Sequence, residues 1–171
     1  MEMNFDDILR NNQPRIYRLV YSFLKNEHDT DEVVQNTFIN AYRGLKNFRA
    51  DSSLETWLSK IAVNNVRSYC RKRKLLSLFY IFDGEEKAAE IKDIRQNTEK
   101  EAENNIINRK VNKAIAALPA RQKEVFVMKH INGMSIAEIE KILGISEGGV
   151  KSNIFKAVQN LRKSLEGINE M

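Results

Sequence analysis

The stretch MSIAEIEKILGISEGGVKSNIFKAVQNL, residues 134–161, predicts a short helix, a tight turn and a longer helix. Ser135 and Glu138 have the spacing of a capping box, and apolar residues follow at helical intervals. Gly144 suits the turn because glycine adopts a positive φ at little cost, and Ser146 can cap the second helix. This is the plan of a helix-turn-helix, whose second helix lies in the major groove of DNA.

The second helix of this motif carries polar side chains away from its apolar stripe. Asparagine can pair with adenine, whereas lysine binds guanine or a phosphate. A solvated helix face is the commoner explanation of such a pattern when composition alone is considered. The residues predicted to face DNA are Glu147, Gly148, Lys151, Ser152, Asn153 and Lys156.

The first part of the chain predicts three helices. Ile16, Leu19, Val20, Phe23 and Leu24 mark one face of the first helix. The second helix is expected to begin at a capping box of Asp29 and Glu32, and the third at a capping box of Ser52 and Glu55. Phe38 and Trp57 fall on apolar faces, which predicts that both belong to the core. Residues 75–82, LLSLFYIF, favour a short helix that packs back on this part, with a partner-binding surface as the alternative.

Charge divides the chain into three segments. Residues 1–82 contain 13 Lys and Arg against 9 Asp and Glu, and residues 105–171 contain 11 against 6. Residues 83–104 contain 4 against 8 and offer little to bury. The sequence therefore predicts an all-α protein of two small helical domains, 1–82 and 105–171, joined by a flexible acidic linker, 83–104. Two basic domains favour nucleic acid as the partner.

Composition excludes several classes of protein. The 171 residues include one cysteine, Cys70, so an internal disulfide is ruled out and a cytoplasmic location is expected. No apolar run is long enough to span a membrane, and the first residues lack a signal-peptide profile. His28 and His130 lack metal-ligand spacing, and no nucleophile with its base is apparent. We therefore expect no enzymatic activity, no metal and no cofactor.

Two stretches of the sequence resemble conserved regions of one family. ALPARQKEVFVMKHINGMSIAEIEKILGISEGGVKSNIFKAVQNLRKSL, residues 117–165, is similar to region 4 of bacterial sigma-70 factors. DTDEVVQNTFINAYRGLKNFRADSSLETWLSKIAVNNVRSYCRKRK, residues 29–74, is similar to region 2. Both occur in the family's order without a third region, which resembles the extracytoplasmic-function (ECF) group.

The resemblance implies a function and assigns roles to residues. The chain would bind core RNA polymerase, direct it to promoters and help to melt the −10 element, while the helix-turn-helix reads the −35 element. The second helix would dock on the β′ clamp helices through Asp31, Glu32, Gln35 and Asn36, and region 4 on the β flap. The −10 element would be bound by Arg49, Asn64, Arg67, Arg71, Lys72, Arg73 and Lys74. From the residues alone, Asn64 could equally cap a helix or bridge two helices. An anti-sigma factor is a further expected partner.

The sequence also departs from the family pattern. Glu140 replaces an alanine at the contact between the two helices of the motif, so its carboxylate must reach solvent or a partner. Gly149 and Asn153 replace the usual threonine and arginine on the recognition helix, which predicts a changed promoter preference. Asn36 replaces a common glutamate on the surface expected to face polymerase.

Two other functions fit part of the sequence. A stand-alone helix-turn-helix regulator would share the second domain but would have no need of the region 2 motifs. A nucleic-acid-processing enzyme would need a catalytic carboxylate or metal cluster, which the motifs do not supply.

Overall fold

The computed structural model describes the backbone of residues 4–82 and 99–166, and the side chains of residues 4–76 and 106–166. These residues form helices and no strands. The first domain contains α1 (Phe5–Leu24), α2 (Glu27–Gly44), a 3₁₀ turn (Leu45–Asn47) and α3 (Leu54–Phe82). The second contains α4 (Glu99–Ala116), α5 (Ala120–Phe126), a π-helical turn (Val127–Ile131), α6 (Ile136–Leu143) and α7 (Glu147–Leu165). The predicted all-α fold class is confirmed.

Helices α1, α2 and α3 form a bundle around one apolar core. The predicted stripe of α1 faces this core, where Ile16 and Leu19 meet Val33 of α2 and Leu58 of α3. Phe38 is buried there, as predicted. The polar groups inside the bundle are paired, and no described buried side-chain nitrogen or oxygen lacks a hydrogen-bond partner.

Two helix starts differ from the sequence prediction. Helix α2 begins before Asp29, because the Asn26 side chain accepts the hydrogen bond from the Asp29 N–H at 2.9 Å. Helix α3 is capped by Ser53, whose Oγ accepts from the Thr56 N–H at 3.2 Å, so the predicted cap at Ser52 is wrong by one residue. Neighbouring residues of similar capping ability compete for one position, and tertiary packing decides between them.

The helix-turn-helix forms as predicted. Ser135 and Glu138 make both hydrogen bonds of the capping box. Gly144 ends α6 at a φ of 65°, and the Ser146 side chain accepts from the Gly149 N–H at the start of α7. Val150, Ala157 and Leu161 are buried on the inner face of α7.

The chain is helical on both sides of residues 83–98. Helix α3 continues without a break to Phe82, so the separate short helix predicted for residues 75–82 is wrong. Leu75 and Leu76, the described side chains of that segment, are exposed. Helix α4 begins at Glu99, inside the segment predicted as linker, while residues 83–98 lie outside the described part of the chain.

Candidate promoter and polymerase interfaces

Helix α7 presents the residues predicted to read duplex DNA. Glu147, Gly148, Lys151, Ser152 and Lys156 are all exposed. The Glu147 carboxylate accepts from Lys151 Nζ at 2.5 Å, one helical turn away. This contact raises the pKa of Lys151 and lowers the pKa of Glu147. Because both groups are at the surface, a DNA phosphate or base can replace this pair at little cost.

The departures from the family pattern have a structural account. Asn153 is half-buried, and its Nδ2 donates to the Gly149 carbonyl at 2.8 Å. A bidentate contact with adenine would therefore require Asn153 to leave its own helix backbone. Half-buried Glu140 lies close enough to Lys151 to raise its pKa further, after the larger effect of Glu147. A Cβ on Gly149 would meet only ordinary contacts, the nearest with Ser146 Oγ at 3.4 Å.

Helix α7 also carries an exposed aromatic side chain that was not among the residues predicted to face DNA. Phe155 is 65% exposed and lies one turn after Lys151 and next to Lys156. An exposed apolar ring can contact the methyl group of thymine in the major groove. The sequence could have predicted this exposure. Phe155 follows Ile154, which belongs to the apolar stripe, so Phe155 lies outside that stripe.

A loop between α2 and α3 forms a small cavity beside the residues predicted to bind the −10 element. Its volume is about 350 Å³, and its lining includes Phe48, Arg49 and Trp57. The Phe48 and Trp57 rings lie 5.0 Å apart, and Trp57 is half-buried rather than fully in the core. Ala50 has a φ of 55°, which is uncommon for a residue with a side chain and holds the loop in a strained turn.

Two adjacent asparagines of α3 have different surroundings. Asn65 bridges α2 and α3: it accepts from Asn40 at 3.1 Å and donates to Thr37 Oγ1 at 3.1 Å. Asn64 is exposed, and Arg67 Nη1 donates to its Oδ1 at 3.4 Å. The bridge between helices that an asparagine could form here is made by Asn65, and the Asn64 side chain lies at the surface.

Two basic residues of α3 form ion pairs with carboxylates of other helices. Arg67 donates to both carboxylate oxygens of Glu124 in α5. Arg73 forms an ion pair with Asp29, whose side chain is buried at the start of α2. Arg71, Lys72 and Lys74 are exposed.

The Asp29 carboxylate also binds Tyr69. Burial, followed by the hydrogen bond to Asp29, raises the pKa of Tyr69 to about 12. Burial raises the pKa of the nearby Cys70 thiol as well, which disfavours the reactive thiolate. This corner of the first domain is therefore a structural cluster beside the exposed basic run.

The residues predicted to bind polymerase lie on the outer face of α2. Asp31, Glu32, Gln35 and Asn36 are exposed. The first three line a groove of about 1000 Å³ between α1 and α2. The groove also contains two exposed apolar side chains that the sequence pattern did not predict as polymerase contacts, Ile39 and Tyr42. The Tyr42 ring makes an edge contact with Phe5 at a centroid distance of 5.1 Å.

No group of His, Cys, Asp and Glu within residues 4–82 and 99–166 is placed to hold a metal ion. No helix in those ranges is both long and apolar enough to cross a membrane.

Comparisons with known proteins identify the family. A family model described as Sigma-70 region 2 matches residues 8–75, and one described as Sigma-70, region 4 matches residues 108–161. The ECF RNA polymerase sigma factor SigW of Bacillus subtilis (strain 168) is 30% identical over 173 residues, which cover 96% of this chain and 90% of the relative.

Solved structures agree with this assignment. The structure of CnrH in complex with the cytosolic domain of CnrY matches with 26% identity and a TM-score of 0.68, over 95% of this chain and 88% of that one. The sigma factor RpoE from Bartonella quintana, solved with the anti-sigma factor NepR, shares the fold with 23% identity and a TM-score of 0.70, over 95% and 96% of the two chains. The chain belongs to the ECF group of the sigma-70 family of RNA polymerase sigma factors.

Proposed function

We propose that this chain binds core RNA polymerase, directs it to specific promoters and helps to open the −10 element. The observation that carries the proposal is the presence in one chain of a region 2 bundle and a region 4 helix-turn-helix. The chain contributes binding energy and specificity, while polymerase performs the chemistry. Its place of action is the cytoplasm, where polymerase and promoter DNA are found.

The −35 element is read as duplex by α7. Lys151, Ser152, Asn153 and Lys156 contact bases or phosphates in the major groove, and Glu147 and Gly148 lie where the helix N-terminus approaches the DNA backbone. The exposure of the lysines and Ser152 supports this assignment. Phe155 adds an apolar contact suited to a thymine methyl group.

The −10 element is bound as single-stranded DNA by the loop and α3. A captured base needs a cavity, hydrogen bonds to its edge and cations for the phosphates. The cavity beside Phe48 and Trp57, the exposed Asn64 and Arg49 supply these features. The phosphates are bound by the basic residues of α3: first by the exposed Arg71, Lys72 and Lys74, and by Arg67 and Arg73 once these leave their carboxylate partners.

Core polymerase is bound by the groove between α1 and α2, with Asp31, Glu32, Gln35 and Asn36 facing the β′ clamp helices. Polar residues around exposed Ile39 and Tyr42 give the apolar centre and polar rim of a protein interface. The second domain contacts the β flap. An anti-sigma factor is the expected regulator, since RpoE of Bartonella quintana was solved with one.

A stand-alone helix-turn-helix regulator is the second candidate function. It accounts for α6 and α7 but leaves the exposed groove of the first domain without a role. Binding to purified core polymerase separates the two functions, because a stand-alone regulator has no need of that interaction.

The experiment measures binding of the full chain to core polymerase and run-off transcription from a promoter library. The wild-type chain should bind core polymerase and initiate at a defined subset of promoters. Glu32→Lys should weaken core binding at least tenfold, as expected for an interface charge reversal of 1.4 kcal/mol or more. Asp51→Lys makes the same charge change at an exposed loop position and should leave core binding intact. Specific duplex binding without any association with polymerase would favour the stand-alone regulator.

A further inference from the structure

The two domains contact each other through a forked ion pair. Arg67 Nε donates to Glu124 Oε1 at 2.5 Å, and Arg67 Nη2 donates to Glu124 Oε2 at 2.9 Å. The Glu124 side chain is only 12% exposed, and its Oε2 also accepts from Arg121 at 3.1 Å. A guanidinium binds a carboxylate and a phosphate in the same forked geometry. The Glu124 carboxylate therefore binds the Arg67 guanidinium with the forked geometry that a DNA phosphate would use.

Three weaker polar contacts extend this interface along α1. Asn132 Nδ2 donates to the buried Ser22 Oγ at 3.0 Å. Arg15 lies 3.5 Å from the Glu138 carboxylate, and Lys123 Nζ lies 3.5 Å from the Phe23 carbonyl oxygen. Helix α6 also packs against α3. The second domain is therefore held on the first at several points, with the Arg67–Glu124 pair as the strongest.

The contact between the domains covers the surface proposed to bind the −10 element. It leaves the DNA-facing side of α7 and the polymerase groove exposed. Lys141 of α6 joins the lining of the cavity beside Phe48 and Trp57, and Arg67 contacts Asn64. The second domain therefore stands over the residues proposed to bind the melted −10 strand. Lys151 on α7 and Gln35 in the polymerase groove remain exposed.

We propose that Glu124 is an internal mimic of a DNA phosphate: in the free chain it holds Arg67 and closes the second domain over the −10 binding surface. The closed state blocks single-stranded DNA without blocking core polymerase, because the groove between α1 and α2 stays accessible. When core polymerase binds the first domain at the β′ clamp helices and the second at the β flap, the domains separate, and Arg67 exchanges Glu124 for a phosphate of the opened promoter. The role in promoter opening rests on the proposed function, whereas the closure itself does not.

Spin-label distances test the closure directly. Labels at Lys46→Cys and Lys163→Cys, in a Cys70→Ser chain, lie at exposed positions in different domains. Glu124→Gln, Glu124→Arg and Arg67→Glu should each broaden the distance distribution or shift it to longer values. The double variant Arg67→Glu with Glu124→Arg should restore the short distance, because the pair is rebuilt with its charges exchanged. Glu140→Gln, which removes a carboxylate that takes part in none of these polar contacts, should leave the distance unchanged.

Binding of a random-sequence single-stranded DNA oligonucleotide at low salt tests the competition. Glu124→Gln should tighten binding about fivefold or more, in the usual range of coupling between two sites. The charge-exchanged double variant should bind weakly, because it is closed and also lacks Arg67.

Unchanged distances in the single variants would overturn the closure. A distance change without tighter DNA binding would overturn the role of Glu124 as a phosphate mimic. Neither outcome bears on whether the wild-type chain binds core polymerase, so the proposed function succeeds or fails separately.

Discussion

The two surfaces proposed to bind DNA differ in the partners of their charged side chains. On α7, Lys151 pairs with Glu147 of the same helix, and both side chains are exposed. On α3, Arg67 and Arg73 pair with carboxylates from other elements, and those carboxylates are largely withdrawn from water. A surface pair within one helix is easily exchanged, whereas a pair that joins two elements also contributes to the fold. In the closed chain the α7 surface is therefore accessible to DNA. On the α3 surface, carboxylates of the protein already bind two of the basic side chains.

The largest difference between the two surfaces should appear in stability. Asp29→Asn removes the charge that binds Arg73 and Tyr69 inside the first domain. We expect the free energy of unfolding to fall by about 1–3 kcal/mol, as for loss of a buried hydrogen-bonded partner. Glu147→Gln removes the corresponding carboxylate on α7 and should leave the free energy of unfolding unchanged. Urea denaturation followed by circular dichroism measures both free energies of unfolding. Equal losses of stability in the two variants would show that the Asp29 and Glu147 carboxylates contribute equally to the fold.

The sequence predicted the helix-turn-helix well because its signals are local. Ser135, Glu138, Gly144 and Ser146 each act on backbone atoms within a few residues, so their roles follow from spacing alone. The same local rules placed two other caps incorrectly. Asn26 and Ser53 cap α2 and α3, since similar polar residues stand close together there and packing chooses among them.

The ion pairs of α3 could not be predicted from the sequence. Arg67 and Glu124 are 57 residues apart, and Arg73 and Asp29 are 44 apart, so no helical spacing relates them. In the sequence, Arg71 and Arg73 belong to the same basic run and have the same expected role. Only the packing of α2 against α3 distinguishes Arg73, which pairs with Asp29, from Arg71, which is exposed.

The second prediction concerns the DNA state that each surface reads. Asn64→Ala should impair recognition of the −10 element as single strand and leave the −35 preference unchanged. Asn153→Arg should change base preference only in the −35 duplex, by about 1–3 kcal/mol at a contacted pair. Transcription from matched duplex and pre-opened templates with randomised positions in each element measures both effects.

The control for Asn64 is its neighbour. Asn65→Ala removes the bridge between α2 and α3, so it should lower stability without changing −10 base preference. A −35 effect of Asn64→Ala, or a −10 effect of Asn153→Arg, would contradict the division of roles between the two helices.

The smallest expected effect separates Arg71 from Arg73. Each phosphate contact contributes roughly one unit to the slope of log K against log salt, because one condensed counterion is released. Arg71→Gln should lower that slope by roughly one for the complex of polymerase and this sigma factor, and should weaken all promoters about equally. Arg73→Gln should change the slope by much less, because its guanidinium is held by Asp29 and has to leave that partner to reach DNA. It should instead lower the free energy of unfolding, which Arg71→Gln should not. If the two substitutions lower the slope of log K against log salt equally, Arg73 leaves Asp29 in order to bind DNA. Its ion pair would then be as readily replaced as the surface pair on α7.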